Sequence, residues 1–132
     1  MRIAVDQNIT AAHEAFSQFG DVVTFAGRSL TRADLAGVDA LVVRSVTRVD
    51  PALLDRTPVR FVGTATIGTD HIDQSYLNDR GIAIAAAAGS NAASVAEYVV
   101  AALFELRGRG AITVEGDSIG IIGVGRIGSR VV

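Results

Sequence analysis

A chain of 132 residues, 49% hydrophobic and 20% charged, is long enough to bury one core and too apolar to remain disordered. Its formal charge is −2, and its 12 basic residues are all arginine and scattered, so no basic stripe points to nucleic acid. Cysteine is absent, which excludes a disulfide framework and a thiolate-bound zinc, and no apolar run reaches the roughly 18 residues that cross a bilayer.

The apolar run that opens at Met1 ends by Asp6, too short for a signal peptide, so the expected location is cytoplasmic with no membrane partner. Aromatics are only 5% and tryptophan is absent, so the core must be built from Val, Ile, Leu and Ala. Such side chains suit parallel strands covered on both faces.

In chain order, Ile3-Ala4-Val5 reads as a first strand closed by Asp6, and Ala11 to Phe19 as a helix with Thr10 as N-cap and Gly20 as stop. Val22 to Phe25 is a second strand, and Thr31 caps a short helix opening at Arg32. Ala40 to Val43 is a third strand; Asp50 then caps a helix with Pro51 at its first position. Phe61-Val62 is a fourth strand, Asp73 to Asp79 a helix ending near Gly81, and Ile82 to Ile84 a fifth strand. Strands separated by helices imply parallel crossovers, and five of them make a small flavodoxin-like domain over residues 1–90.

Asn91 to Leu106 reads as an Ala/Val-rich helix, with Ser90 or Asn91 at its N-cap and only Glu97 and Glu105 charged. It is apolar on more than one face and must pack against something large. Glu97 in that setting either reaches solvent beside a cleft or pairs with an arginine. Gly108-Arg109-Gly110 ends the helix, and Thr113 to Asp117 is a polar connection. Residues 91–132 thus read as a bridge into a second domain that has barely begun. A strand late in the chain would have few residues left to flank it, so the chain reads as a fragment, or as one whose C-terminal part another molecule covers.

That late strand is Ser118 to Ile122, and Gly123-Val124-Gly125-Arg126-Ile127-Gly128 follows it directly. This is G-x-G-x-x-G where a dinucleotide fingerprint needs it, after an apolar strand and at a helix start. Gly123 would allow the tight turn, Gly125 the approach of a pyrophosphate, and Gly128 close packing of helix on strand. A merely structural glycine turn is the alternative.

Arg44-Ser45-Val46-Thr47 follows the third strand, and ligands of open α/β sheets gather at the carboxyl ends of strands. A guanidinium and two hydroxyls there could hold a carboxylate or phosphate; an ordinary polar loop is the alternative. Gly63 to Asp70 makes a second, hydroxyl-rich loop on the same sheet edge. His71 between Asp70 and Asp73 matches no metal-ligand spacing and reads as a partly buried histidine beside a helix-starting aspartate, so no metal is expected. His13 reads as a surface residue of the first helix, and Asp6 as a cap or a ligand contact.

Four stretches carry a resemblance to a known family: Val42 to Thr47, Phe61 to Asp73, Asn91-Ala92 with Val95 to Val99, and Gly120 to Gly128. Over essentially its whole length the chain resembles the N-terminal part of the D-2-hydroxyacid dehydrogenases. The resemblance implies a lid domain followed by the start of a truncated Rossmann NAD-binding domain. It implies NAD as cofactor and oxidation of a small phosphorylated 2-hydroxy acid to its 2-oxo acid, in the synthesis of pyridoxal phosphate. By the same resemblance Ser45 and Thr66 match substrate-binding positions, and Gly123, Gly125, Arg126, Ile127 and Gly128 match the pyrophosphate turn. The family's catalytic Arg, Glu and His would lie beyond residue 132, so neither His13 nor His71 takes their role and the chain alone is expected to be inactive. The full-length parent is expected to be a homodimer. Another dehydrogenase of the family, or a non-catalytic flavodoxin-like binding module, are the competing readings.

Overall fold

A computed structural model of the protein describes residues 1–113, 116 and 118–132. The chain divides into two compact units, Met1–Ala88 and Gly89–Val132. The first holds β1 (Arg2–Asp6), α1 (Ala12–Phe16), β2 (Asp21–Phe25), a 3₁₀ turn (Arg32–Leu35), β3 (Ala40–Val43), α2 (Pro51–Leu54), β4 (Phe61–Thr64), α3 (Gln74–Asp79) and β5 (Ala83–Ala86). The second holds α4 (Ala92–Gly108) and α5 (Gly128–Val131).

All five strands run parallel in the order β2-β1-β3-β4-β5. That is the flavodoxin-like order, and its direction of winding reverses between β1 and β3. β1 and β3 are the most completely buried strands, whereas the edges β2 and β5 are half-open.

Alternation along each strand sends side chains to opposite faces. Ala4, Leu41, Val43 and Val62 pack on one face against Leu35, Val38, Leu53, Leu54 and Leu77. Ile3, Val5, Ala40 and Val42 pack on the other against Ala12 and Phe16. Each fully buried aliphatic side chain contributes about 1.5–3 kcal/mol.

Several helix starts form as the sequence predicts. Asp50 Oδ1 accepts from the Leu53 N–H at 3.1 Å with Pro51 next to it, and Asp73 Oδ1 accepts from the Tyr76 N–H at 3.0 Å. At the 3₁₀ turn the Asp34 carboxylate accepts from the Thr31 N–H at 2.8 Å and from the Thr31 hydroxyl at 2.6 Å.

Four local expectations are corrected. Thr10 does not cap α1: Ala11 occupies the N-cap at φ 57, in the left-handed region, and no side chain bonds the free N–H groups. α1 also ends at Phe16, and the chain continues to Phe19 in turns such as Phe19 N–H to Phe16 O at 2.9 Å. The fifth strand is Ala83–Ala86, because β4 sets its register through Phe61↔Ala83 to Thr64↔Ala86. Ile82 instead donates its N–H to Leu77 O at 2.8 Å and fills the core.

Ser118–Ile122 forms no strand. A ladder needs a partner, and the second unit has no strand among the described residues, so Ile119 and Ile122 stay exposed. The expected polar connection Thr113–Asp117 falls largely on residues outside the described ones. Among the described residues, no helix is long and apolar enough to cross a membrane.

Candidate functional site

The carboxyl edge of the sheet collects polar side chains where β1 and β3 diverge. Asp6 ends β1 and is completely buried. Its Oδ1 accepts from the Asn8 backbone N–H at 2.9 Å and from Asn8 Nδ2 at 3.4 Å. Arg44 follows β3 directly, with Nε 3.2 Å from Asp6 Oδ1 and a side chain 32% exposed. The two are an ion pair by distance, but Nε is not aligned as a hydrogen bond and Asp6 Oδ2 has no donor.

Thr47 is buried, and its hydroxyl donates to Gly27 O at 2.8 Å, tying the loop after β3 to the loop after β2. Gly27 is required by space: a Cβ there would collide with Asp6 Oδ2 and come within 2.8 Å of Thr47 Oγ1.

The loop after β4 is braced from the β3 side. Val49 donates its N–H to His71 O at 2.8 Å and accepts from the Asp73 N–H at 2.8 Å, bridging it to Ile72. This places His71 Nε2 3.1 Å from Thr64 Oγ1, which lies 2.7 Å from Thr66 Oγ1. The Thr66 hydroxyl also reaches Gly68 O at 3.3 Å. Burial pushes the His71 pKa below its usual 6.5, and the nearby Asp70 charge opposes that in part. Neutral His71 can donate to Thr64 or accept from it, whereas protonated it can only donate.

Ser45 and Thr66 lie on adjacent strand ends. Val43 pairs with Thr64 in the last rung of β3 and β4, and each residue comes two positions after that rung. Ser45 is exposed, and Thr66 half-buried. Among the described residues no group of three or more His, Asp or Glu stands close enough to hold a metal. His13 is exposed on α1.

Gly123, Gly125, Arg126, Ile127 and Gly128 belong to the second unit. Gly123 has φ +93, which an L side chain rarely adopts. A Cβ on Gly128 would collide with Gly123 O, so α5 packs directly on the turn, while the space beside Gly125 is open. Arg126 lies over Gly89, within 2.7 Å (Cδ) of where a Cβ would stand. α5 thus packs on a tight glycine turn with open space at Gly125, and the strand expected before that turn does not form.

Sequence reasoning missed the Asp6–Arg44 pair, the His71–Thr64–Thr66 chain and the close approach at Gly27. A signal existed for the first: opposite charges end strands one and three, and the strand order makes those strands neighbours.

A profile of the D-isomer specific 2-hydroxyacid dehydrogenase catalytic domain matches residues 3–121, so the chain belongs to that family. It is 55% identical over 130 residues to the erythronate-4-phosphate dehydrogenase of Salinibacter ruber, a match covering 98% of this chain and 33% of that protein. The chain therefore spans about a third of the length of the curated relatives it matches. Its fold recurs in solved structures. The TT0316 protein of Thermus thermophilus superimposes with a TM-score of 0.74 at 19% identity, covering 99% of this chain and 51% of that one. The NAD+-bound 3-phosphoglycerate dehydrogenase of Entamoeba histolytica does so with a TM-score of 0.69 at 22% identity, covering 99% and 49%.

Proposed function

We propose that the chain is the N-terminal part of an NAD-dependent dehydrogenase that oxidises C2 of 4-phosphoerythronate to the 2-oxo acid, a step in vitamin B6 synthesis. The observation that carries the reading is the meeting of Arg44, Ser45 and Thr66 on two adjacent strand ends, in a chain about half identical to erythronate-4-phosphate dehydrogenases.

On this reading the first unit grips substrate. The planar Arg44 guanidinium can bond two oxygens of a carboxylate or phosphate, and the hydroxyls of Ser45 and Thr66 hydrogen-bond its oxygens. Thr66 can turn its hydrogen from Gly68 O toward a substrate oxygen, because that bond is long at 3.3 Å.

Gly123, Gly125, Arg126, Ile127 and Gly128 would hold the pyrophosphate of NAD, whose nicotinamide accepts the hydride when bound. Neither histidine removes the substrate proton on this reading. His71 is engaged with Thr64 and His13 faces solvent, so the acid–base group belongs outside these residues. The protein works in the cytoplasm as a homodimer.

The test is an assay of the complete protein carrying this chain, following NADH formation with 4-phosphoerythronate and with unphosphorylated 2-hydroxy acids. The expected result is turnover confined largely to the phosphorylated acid. Equal turnover of an unphosphorylated acid would move the chain to another member of the family.

A further inference from the structure

We infer that Asp6 is a positioning residue that holds the Arg44 guanidinium in place for a substrate anion at the β1/β3 edge. The inference rests on the proposed function, in that this edge is taken to face the phosphorylated hydroxy acid.

Asp6 occupies a position where an aliphatic residue would be cheaper. Its neighbours Ile3, Ala4 and Val5 are buried and apolar, and Asp6 itself has no solvent exposure. Burying a carboxylate is costly unless charge and hydrogen bonds compensate. Here the compensation is half made. Oδ1 is bonded by Asn8, but Oδ2 has no donor. The Thr47 hydroxyl, which with Oδ2 borders the Gly27 Cβ position, gives its only hydrogen to Gly27 O and has none left for Oδ2.

The remaining compensation is the positive charge of Arg44, whose Nε is also buried without an aligned acceptor. Buried polar groups nearly always find partners. Two such atoms left unmet within one ion pair, at the switch point of the sheet, point to a setting kept for something other than stability.

The surroundings keep the carboxylate where it is. Gly27 leaves room for Oδ2 that any Cβ would take away, and Val46 Cγ2 lies 3.0 Å from that Cβ position. Contact with Arg44 runs through Nε, which leaves the terminal nitrogens of the guanidinium for a ligand. Among the described residues nothing else pairs with them. An ion pair at Nε limits where the guanidinium can sit, so its remaining fork has less freedom to lose on binding.

The experiment measures steady-state kinetics of the complete protein with 4-phosphoerythronate and NAD, for Asp6→Asn, Arg44→Met, the double variant and Gly27→Ala. Asp6→Asn keeps the acceptor that Asn8 uses. It should raise KM for the acid about tenfold while kcat and KM for NAD hold. The same substitution in the Arg44→Met background should add nothing, because its effect passes through Arg44. Gly27→Ala leaves both charges in place but displaces the carboxylate, and should reproduce the Asp6→Asn profile.

If Arg44→Met raises KM and Asp6→Asn does not, the inference fails and the substrate reading survives. If Asp6→Asn raises KM equally in both backgrounds, Asp6 does not work through Arg44 and the inference fails. If Arg44→Met leaves KM unchanged, the substrate reading itself falls and the inference goes with it. A purely structural Asp6 would lower the unfolding midpoint of Asp6→Asn and Gly27→Ala with no change in KM for either.

Discussion

Thr66 and Ser45 are each two residues past a strand, yet their surroundings differ. Thr66 sits in a hydrogen-bonded chain with Thr64 and His71, whereas Ser45 is exposed. On the proposed reading both hydroxyls bond the acid, so Ser45→Ala and Thr66→Ala should each weaken its binding by about 1–3 kcal/mol. Affinity for NAD should hold. Isothermal titration of the complete protein with each ligand separates the two, and equal loss of both would remove these loops from the substrate site.

His71 gives a second measurement at the same scale. Its folded pKa lies below its ordinary 6.5, chiefly through burial. The unfolded chain therefore binds the proton more readily, so this contribution to stability is complete above about pH 6.5 and is lost as pH falls through the folded pKa. Hydrogen bonds hold Asp34, Asp39 and Asp73 below their usual 3.8, so their contribution is lost only in a more acidic window. Urea unfolding between pH 7.5 and 5 should show stability falling with pH, and His71→Asn should flatten that slope. An unchanged slope would mean that His71 is not the titrating group.

Ser45, Thr66 and Arg44 were legible in the sequence because each follows an apolar run, and strand ends are where α/β sheets gather ligands. The partner of Arg44 was not legible. Asp6 lies 38 residues earlier, and only the strand order makes them neighbours.

Elements form where local chemistry and tertiary context agree. Asp50 followed by Pro51 announces α2 in four letters, and the structure makes the bond they predict. Asp50→Ala should destabilise the first unit by about 1 kcal/mol, the usual worth of an N-cap, as measured by urea unfolding. A loss near zero would show that the Leu53 N–H finds another acceptor.

Elements that depend on a neighbour were misjudged. Ala83–Ala86 is poor strand sequence, yet β4 offers it a ladder, so it pairs. Ile119–Ile122 is good strand sequence, yet the second unit offers no ladder among the described residues, so it does not. Propensity was stronger in the second case and pairing decided both.

At the scale of the molecule, the two units differ in how much apolar surface they bury. Met1–Ala88 has a five-stranded sheet with apolar clusters on both faces, and its parallel strands were foreseeable from the βα alternation. Gly89–Val132 has two helices, no strand among the described residues, and exposed apolar side chains at Phe104, Ile119, Ile122 and Val124. The glycine turn there holds Gly123 at φ +93 with α5 packed on it.

Dinucleotide affinity needs more than the turn. A neighbouring sheet supports the turn, an adenine pocket encloses the base, and an acidic residue about 20 positions past the glycines holds the ribose. The second unit shows no strand among the described residues, so on the proposed reading these 132 residues alone should bind NAD weakly or not at all, whereas the longer dehydrogenase of that reading should bind it well. Calorimetry on both settles the point. Submicromolar binding by the shorter chain would mean that the turn recruits its missing support from residues already present, and the division of labour between the two units would have to be redrawn.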